Sequence, residues 1–307
     1  MGKVAFLFSG QGAQYPGMGK SLCDASAAAR YTFEQADAVR PDTSKQCFEG
    51  TKEELSQTIN TQPCLYCVDL AAAEALRDEG IVPDAVAGFS LGEIAALTFA
   101  GVFSRKDGFS FVCKRGEHMS EATKKTGGSM AAVLKLSNEK VNELASAYDK
   151  VFPVNYNCPG QVSVAGEKEQ LDAFCEDCKA AGARVVPLAV SGAFHSPFMD
   201  EAAAALAEEL KSIQVQKAGI PVYSNASAEL YPEDADAIRA SIATQVNHPV
   251  QWQAILEKLH ADGFDTFIEC GAGKTLAGLV KKTLKGVSIY NVEDADGLKA
   301  VVEALKV

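Results

Sequence analysis

Residues 88–92 read G-F-S-L-G, a G-x-S-x-G pattern in which a hydroxyl stands between two residues without side chains. The apolar A-V-A before it reads as the end of a strand, and E-I-A-A-L after it as the first turns of a helix. A strand-to-helix corner of that kind lifts its central side chain out of the fold and aims backbone N–H groups at the same point, which is how a serine nucleophile is presented. For a pattern this short the plain alternative is a tight turn with an N-capping serine, and the flanking strand and helix favour the nucleophile.

Ser90 needs a base, and the chain has four histidines: His118, His195, His248 and His260. His260, in L-E-K-L-H-A-D, reads as a surface residue near a helix end, and His118 follows Glu117 in a charged helix. His195 lies in G-A-F-H-S-P-F-M, a loop after a strand and before a helix, at the rim where α/β enzymes keep their chemistry. His248, in N-H-P-V, is the rival, with Pro249 after it suggesting a turn. His195 is the expected base, against packing between Phe194 and Phe198. No Asp or Glu directly flanks it, so the group that orients its second nitrogen stays open.

F-L-F-S-G-Q-G-A-Q puts Gly10, Gln11 and Gly12 in a loop at the end of the first strand. It is no dinucleotide fingerprint, because Tyr15 stands where the third glycine belongs. Amides from Gln11 and Leu91 would instead suit an oxyanion hole serving Ser90. E-C-G-A-G-K-T ends like a phosphate loop, but Ile268 occupies the first glycine position and ATP binding is not expected. Arg115, in V-C-K-R-G-E-H-M, either belongs to a solvated face with Lys114 or turns inward, where a guanidinium could hold a substrate carboxylate bidentately.

These groups need a frame. With 307 residues, 47% of them hydrophobic and 22% charged, the chain is expected to fold as one large globular domain or a main domain with a smaller companion. A net charge of −11 argues against a nucleic-acid binder. No apolar run of about 18 to 20 residues occurs, and the opening run is short and glycine-bounded, so a cytoplasmic protein is expected. Nine scattered cysteines suit reduced thiols, and the pairs Cys64/Cys67 and Cys175/Cys178 fall in helical stretches rather than zinc knuckles, so no metal is expected.

K-V-A-F-L-F reads as a buried strand, G-M-G-K through T-F-E-Q-A-D as one helix, and a second helix is expected from about Pro63 to Gly80. A charged helix follows Gly101 and runs to about Thr126. Between 127 and 190 the order becomes β-α-β-β-α-β, the pattern of a ferredoxin-like unit. Beyond that, strands and helices alternate again, as in a parallel sheet covered on both faces. The expected fold class is α/β: a hydrolase-like large subdomain (1–126 and 191–307) with an inserted ferredoxin-like small subdomain (127–190).

In order along the chain, F-S-G-Q-G-A-Q-Y-P-G-M-G, N-T-Q-P (60–63), G-F-S-L-G-E, K-R-G, N-Y-N-C-P-G-Q-V-S-V-A-G, G-A-F-H-S-P-F-M, Q-V-N-H-P-V and E-C-G-A-G-K-T-L resemble the malonyl-CoA:acyl-carrier-protein transacylase family. The resemblance spans nearly the whole chain. It implies that Ser90 carries the malonyl group, His195 is the base, Arg115 holds the malonyl carboxylate, and Gln11 with Leu91 forms the oxyanion hole. It also implies that the backbone carbonyl of Gln245 orients His195, and that Phe194 favours malonyl over bulkier units. Phe89 departs from the histidine the family often has there, which puts in question a polar role for that position. The partners implied are malonyl-CoA and holo acyl carrier protein, with no cofactor bound by this chain, no nucleic acid and no membrane; a monomer is expected. Lys274, Lys281, Lys282 and Lys285 are candidates for docking the acidic carrier, or a solvated lysine face. The competing readings are a serine thioesterase or esterase, a polyketide-type acyltransferase, and a carrier-binding scaffold without activity. The last would lose Ser90, His195 or Arg115, and all three are present.

Overall fold

The computed structural model describes residues 2–190 and 192–306. Among the described residues nine strands build two sheets: β1 (Lys3–Phe8), β2 (Ala85–Gly88), β3 (Ser129–Leu134), β4 (Val151–Cys158), β5 (Gln161–Gly166), β6 (Arg184–Pro187), β7 (Val222–Tyr223), β8 (Phe264–Cys270) and β9 (Ser288–Val292). The first sheet, in the order β7-β2-β1-β8-β9, is wholly parallel. Phe8 pairs with Gly88 on one side and Cys270 on the other, so the ends of three strands meet at one level.

Alternation along β1 explains why this sheet is central. Val4, Phe6 and Phe8 join the larger apolar cluster on one face, while Ala5 and Leu7 join Trp252, Ile255, Leu256, Leu276 and Leu279 on the other. A sheet buried on both faces must have helices over both, and its carboxyl edge is left to bind ligands.

The second sheet, in the order β4-β5-β3-β6, is antiparallel throughout. Its strands enclose the helices Asn138–Ala145 and Lys168–Ala180, giving the split β-α-β arrangement expected for a ferredoxin-like unit. Val133, Val162, Val164, Leu171 and Phe174 form its own core. It is tied to the rest of the chain where Val250 donates to Val154 O (2.8 Å) and accepts from the Tyr156 N–H (3.0 Å). The expected subdomain boundary at 190/191 falls on Ser191, outside the described residues.

Several elements differ from the sequence-based expectation. The first helix is two, Lys20–Ala25 and Ala27–Val39, because Ser26 is extended and its side chain caps the second by accepting from the Ala29 N–H. The next long helix begins at Thr58, so Pro63 lies inside it rather than at its start. Short helices at Thr43–Glu49 and Lys52–Leu55 were not expected, nor was Ala235–Thr244, whose signal was Asp234 capping the N–H groups of Asp236 and Ala237. Among the described residues no helix is long and apolar enough to cross a membrane.

Candidate active site

The G-x-S-x-G glycines are explained by contact. A Cβ on Gly88 would collide with the backbone of Gly92 and Glu93, and one on Gly92 with the carbonyl oxygens of Phe8 and Ser9. The helix Leu91–Phe99 can therefore start directly against the ends of β1 and β2 only with hydrogen at both positions. Between them Ser90 takes φ 55° and ψ −108°, a conformation that a residue with a side chain holds only under constraint.

Asn225, just beyond β7, supplies that constraint. Its side-chain oxygen accepts from the Ser90 N–H (2.7 Å) and its amide nitrogen donates to Gly88 O (2.6 Å). Gln245 adds a bond from Nε2 to Ser90 O (2.7 Å). Neither Asn225 nor the Gln245 side chain was singled out from the sequence.

Ser90 Oγ lies 2.7 Å from His195 Nε2. On the far side of the ring, Nδ1 faces two carbonyl oxygens, of Gln245 at 3.1 Å and His248 at 3.2 Å. A carbonyl can only accept, so Nδ1 carries the proton and Nε2 is left as the acceptor for the serine hydroxyl. No carboxylate flanks His195 in the sequence, and here two backbone carbonyls face that nitrogen instead. His195 itself has φ 60° and is buried, and its N–H donates to Val246 O (2.9 Å). Burial, aided by the charge of Arg115, lowers its pKa to about 4, so the ring is neutral near pH 7.

Arg115 is turned inward, 1% exposed, on the helix Arg105–Thr126. That helix crosses Thr58–Asp78 closely at Gly116, where an added Cβ would sit 3.2 Å from Thr58 O. Its guanidinium donates to Gln62 Oε1 (2.7 Å), Gln245 Oε1 (2.7 Å) and Ser90 Oγ (3.2 Å). A permanent cation thus stands beside Ser90 Oγ, held by two amide oxygens. Gln62 belongs to N-T-Q-P, quoted from the sequence without a role.

At the helix start, the N–H groups of Ser90, Gly92 and Glu93 donate to Asn225, Phe89 O and Ser90 O. Among the described residues the Leu91 amide has no such partner, nor does that of Gln11 in the loop after β1. Gln11 is steadied by its side chain on Thr58 Oγ1 (3.2 Å). Phe89 turns the other way, edge-on to Trp252 at 5.4 Å between ring centres. It lines a cleft of about 240 Å³ with Gln11, Asn155, Asn157, Leu276 and Leu279, between the two sheets. Phe194 is buried directly before His195.

The remaining histidines lie elsewhere: His118 reaches Glu209 (3.1 Å), and His260 and the His248 ring are exposed. Lys274, Lys281, Lys282 and Lys285 are all exposed around the helix Thr275–Thr283, at one wall of the cleft. Among the described residues no cluster of three or more His, Cys, Asp or Glu side chains is arranged to hold a metal ion.

Residues 5–301 match the family model described as an acyl transferase domain. The chain is 41% identical, over 312 aligned positions, to the malonyl CoA-acyl carrier protein transacylase of Bacillus subtilis, covering 100% of this chain and 98% of that protein. Its fold matches the crystal structure of the malonyl CoA-acyl carrier protein transacylase of Clostridium perfringens with a TM-score of 0.95 at 38% identity, covering 99% and 97% of the two chains. A malonyl-transacylase in complex with its type II PKS acyl-carrier protein is similar too, with a TM-score of 0.94, 36% identity, and 98% and 99% covered.

Proposed function

The chain belongs to the malonyl-CoA:acyl-carrier-protein transacylase family, and from that premise we propose how its residues divide the reaction. The enzyme transfers a malonyl group from malonyl-CoA to the phosphopantetheine thiol of acyl carrier protein, through an ester on a serine. Ser90 Oγ attacks the thioester carbonyl while His195 Nε2 takes its proton. The Leu91 and Gln11 amides receive the oxyanion, and the C–S bond breaks as His195 returns the proton to the coenzyme A sulfur. In the second half His195 deprotonates the carrier thiol, which attacks the ester and releases Ser90.

The observation that carries this assignment is the Arg115 guanidinium 3.2 Å from the nucleophile. A plain esterase has no use for a buried cation there, whereas an acyl group ending in a carboxylate needs one. Phe194 would select against a branched acyl group, worth about 1 to 3 kcal/mol per methylene. Phe89, packed on Trp252, would give the cleft an apolar wall and leave carboxylate binding to Arg115. The exposed lysines near the cleft would receive the acidic carrier, against the chain's overall charge. We assign residues 1–126 and 191–307 to the catalytic subdomain and 127–190 to the insert. That the site is complete within one chain supports a monomer, and the substrates, malonyl-CoA and acyl carrier protein, support a cytoplasmic location.

The test is steady-state transfer from malonyl-CoA to holo carrier protein. Parallel double-reciprocal lines and malonyl-carrier as product are expected; free malonate released at a rate indifferent to carrier would make the protein a hydrolase.

A further inference from the structure

Glu93, in the first turn of the helix that Ser90 opens, is fully buried. A carboxylate at a helix start is ordinarily explained by the helix dipole and solvent, but this one has no solvent. Its Oε1 accepts from the Asn225 N–H (2.8 Å), and Oε2 has no hydrogen-bond partner of ordinary length. Asn225 Oδ1 is reached by Gln245 Nε2 (3.3 Å), and Gln245 Oε1 accepts from Arg115 (2.7 Å). Two amides therefore connect a buried anion to a buried cation whose Nε is also unpaired. The charged or titratable groups facing Glu93 are Arg115, from the helix Arg105–Thr126, and Tyr231, whose hydroxyl is near enough to stabilise the Glu93 carboxylate although it makes no hydrogen bond of ordinary geometry.

We propose that Glu93 is the resting counter-ion of Arg115 and competes with an incoming acyl carboxylate for it, setting how strongly the site prefers malonyl over an uncharged acyl group. This rests on the role given to Arg115 above. A buried cation without a counter-ion is costly, so the empty site needs an anion. When the malonyl carboxylate arrives, two anions share one guanidinium, and Glu93 is relieved by taking up a proton. Its carboxyl is poised for that, since burial raises its pKa to about 7.

The experiment is Glu93→Gln, whose carbonyl can still accept from Asn225, in the acylation half-reaction with malonyl-CoA and acetyl-CoA. At pH 8, where Glu93 is mostly ionised, the malonyl-to-acetyl ratio of kcat/KM should rise by about fivefold or more through a lower malonyl KM, and at pH 7 by no more than about twofold. In the parent the malonyl KM should fall from pH 8 to pH 6, and in E93Q it should not. A loss shared equally by both substrates, with an unchanged ratio, would mean that Glu93 only holds Asn225 in place and would overturn the proposal. A measurement independent of E93Q folding is malonyl-CoA binding to S90A by calorimetry in buffers of different ionisation heat at pH 7. Proton uptake is expected, and binding without it refutes the proposal. If the parent itself takes no malonyl group, the Arg115 assignment fails first and is recognised separately.

Discussion

Replacing Arg115 by alanine removes a guanidinium that is 1% exposed and held by Gln62 and Gln245 at 2.7 Å each. A malonyl carboxylate entering that site would lose its water without gaining a partner. Leaving one member of a buried ion pair alone costs about 3 to 5 kcal/mol, which is about a hundred- to several-thousand-fold in malonyl kcat/KM. Part of that loss is general, because Gln245 also holds the Ser90 carbonyl at 2.7 Å and its own carbonyl faces His195 at 3.1 Å. Acetyl transfer reports this shared part, so the malonyl-to-acetyl ratio isolates the carboxylate. Arg115→Lys keeps the charge but cannot reach both glutamines and a carboxylate at once, and should fall between parent and alanine. Coenzyme A release in the acylation half-reaction is the assay for each pair of substrates. If R115A kept the parent's preference, the carboxylate would be bound elsewhere and the assignment would be wrong.

The pH profile tests the base. A histidine acts as base only when neutral, and with its pKa lowered to about 4 the neutral form persists through the whole range in which a free imidazole would be lost. Acetylation of bound enzyme should therefore be flat from pH 8 down to about 5, and an inflection near the free value would show that the ring is solvated. Gly92→Ala should abolish soluble, folded enzyme or its activity, because the obstructing atoms are backbone carbonyls that cannot rotate away. Gly278→Ala, in the helix Thr275–Thr283 with nothing near an added Cβ, should raise stability by about 0.5–1 kcal/mol in thermal unfolding. Equal effects of the two would remove the steric account of the elbow.

What could be read from the sequence followed from how local the signal was. Ser90 was visible because its glycines and its strand-helix context sit within a few residues. His195 was visible as a loop histidine among few competitors. The groups facing its second nitrogen were not, because they are backbone carbonyls, which every residue possesses; only the family resemblance pointed to Gln245. Arg115 could be read as solvated or inward until its helix was seen to cross Thr58–Asp78 at Gly116. Asn225 was hidden because it reaches Ser90 from 135 positions away, at the end of a two-residue strand. Glu93 drew no reading from the sequence, because an acid in a helix's first turn is ordinary and only burial sets this one apart. The break at Ser26 had a legible cap and was missed because small residues on both sides continue the helical pattern.

The most direct test of the central claim is intact-protein mass spectrometry after brief mixing with malonyl-CoA, and then with holo carrier protein, alongside Ser90→Ala. A single malonyl adduct, absent in S90A and discharged onto the carrier, is the predicted result. An adduct that persists in S90A, or one that decays to free malonate at the same rate with and without carrier, would contradict it.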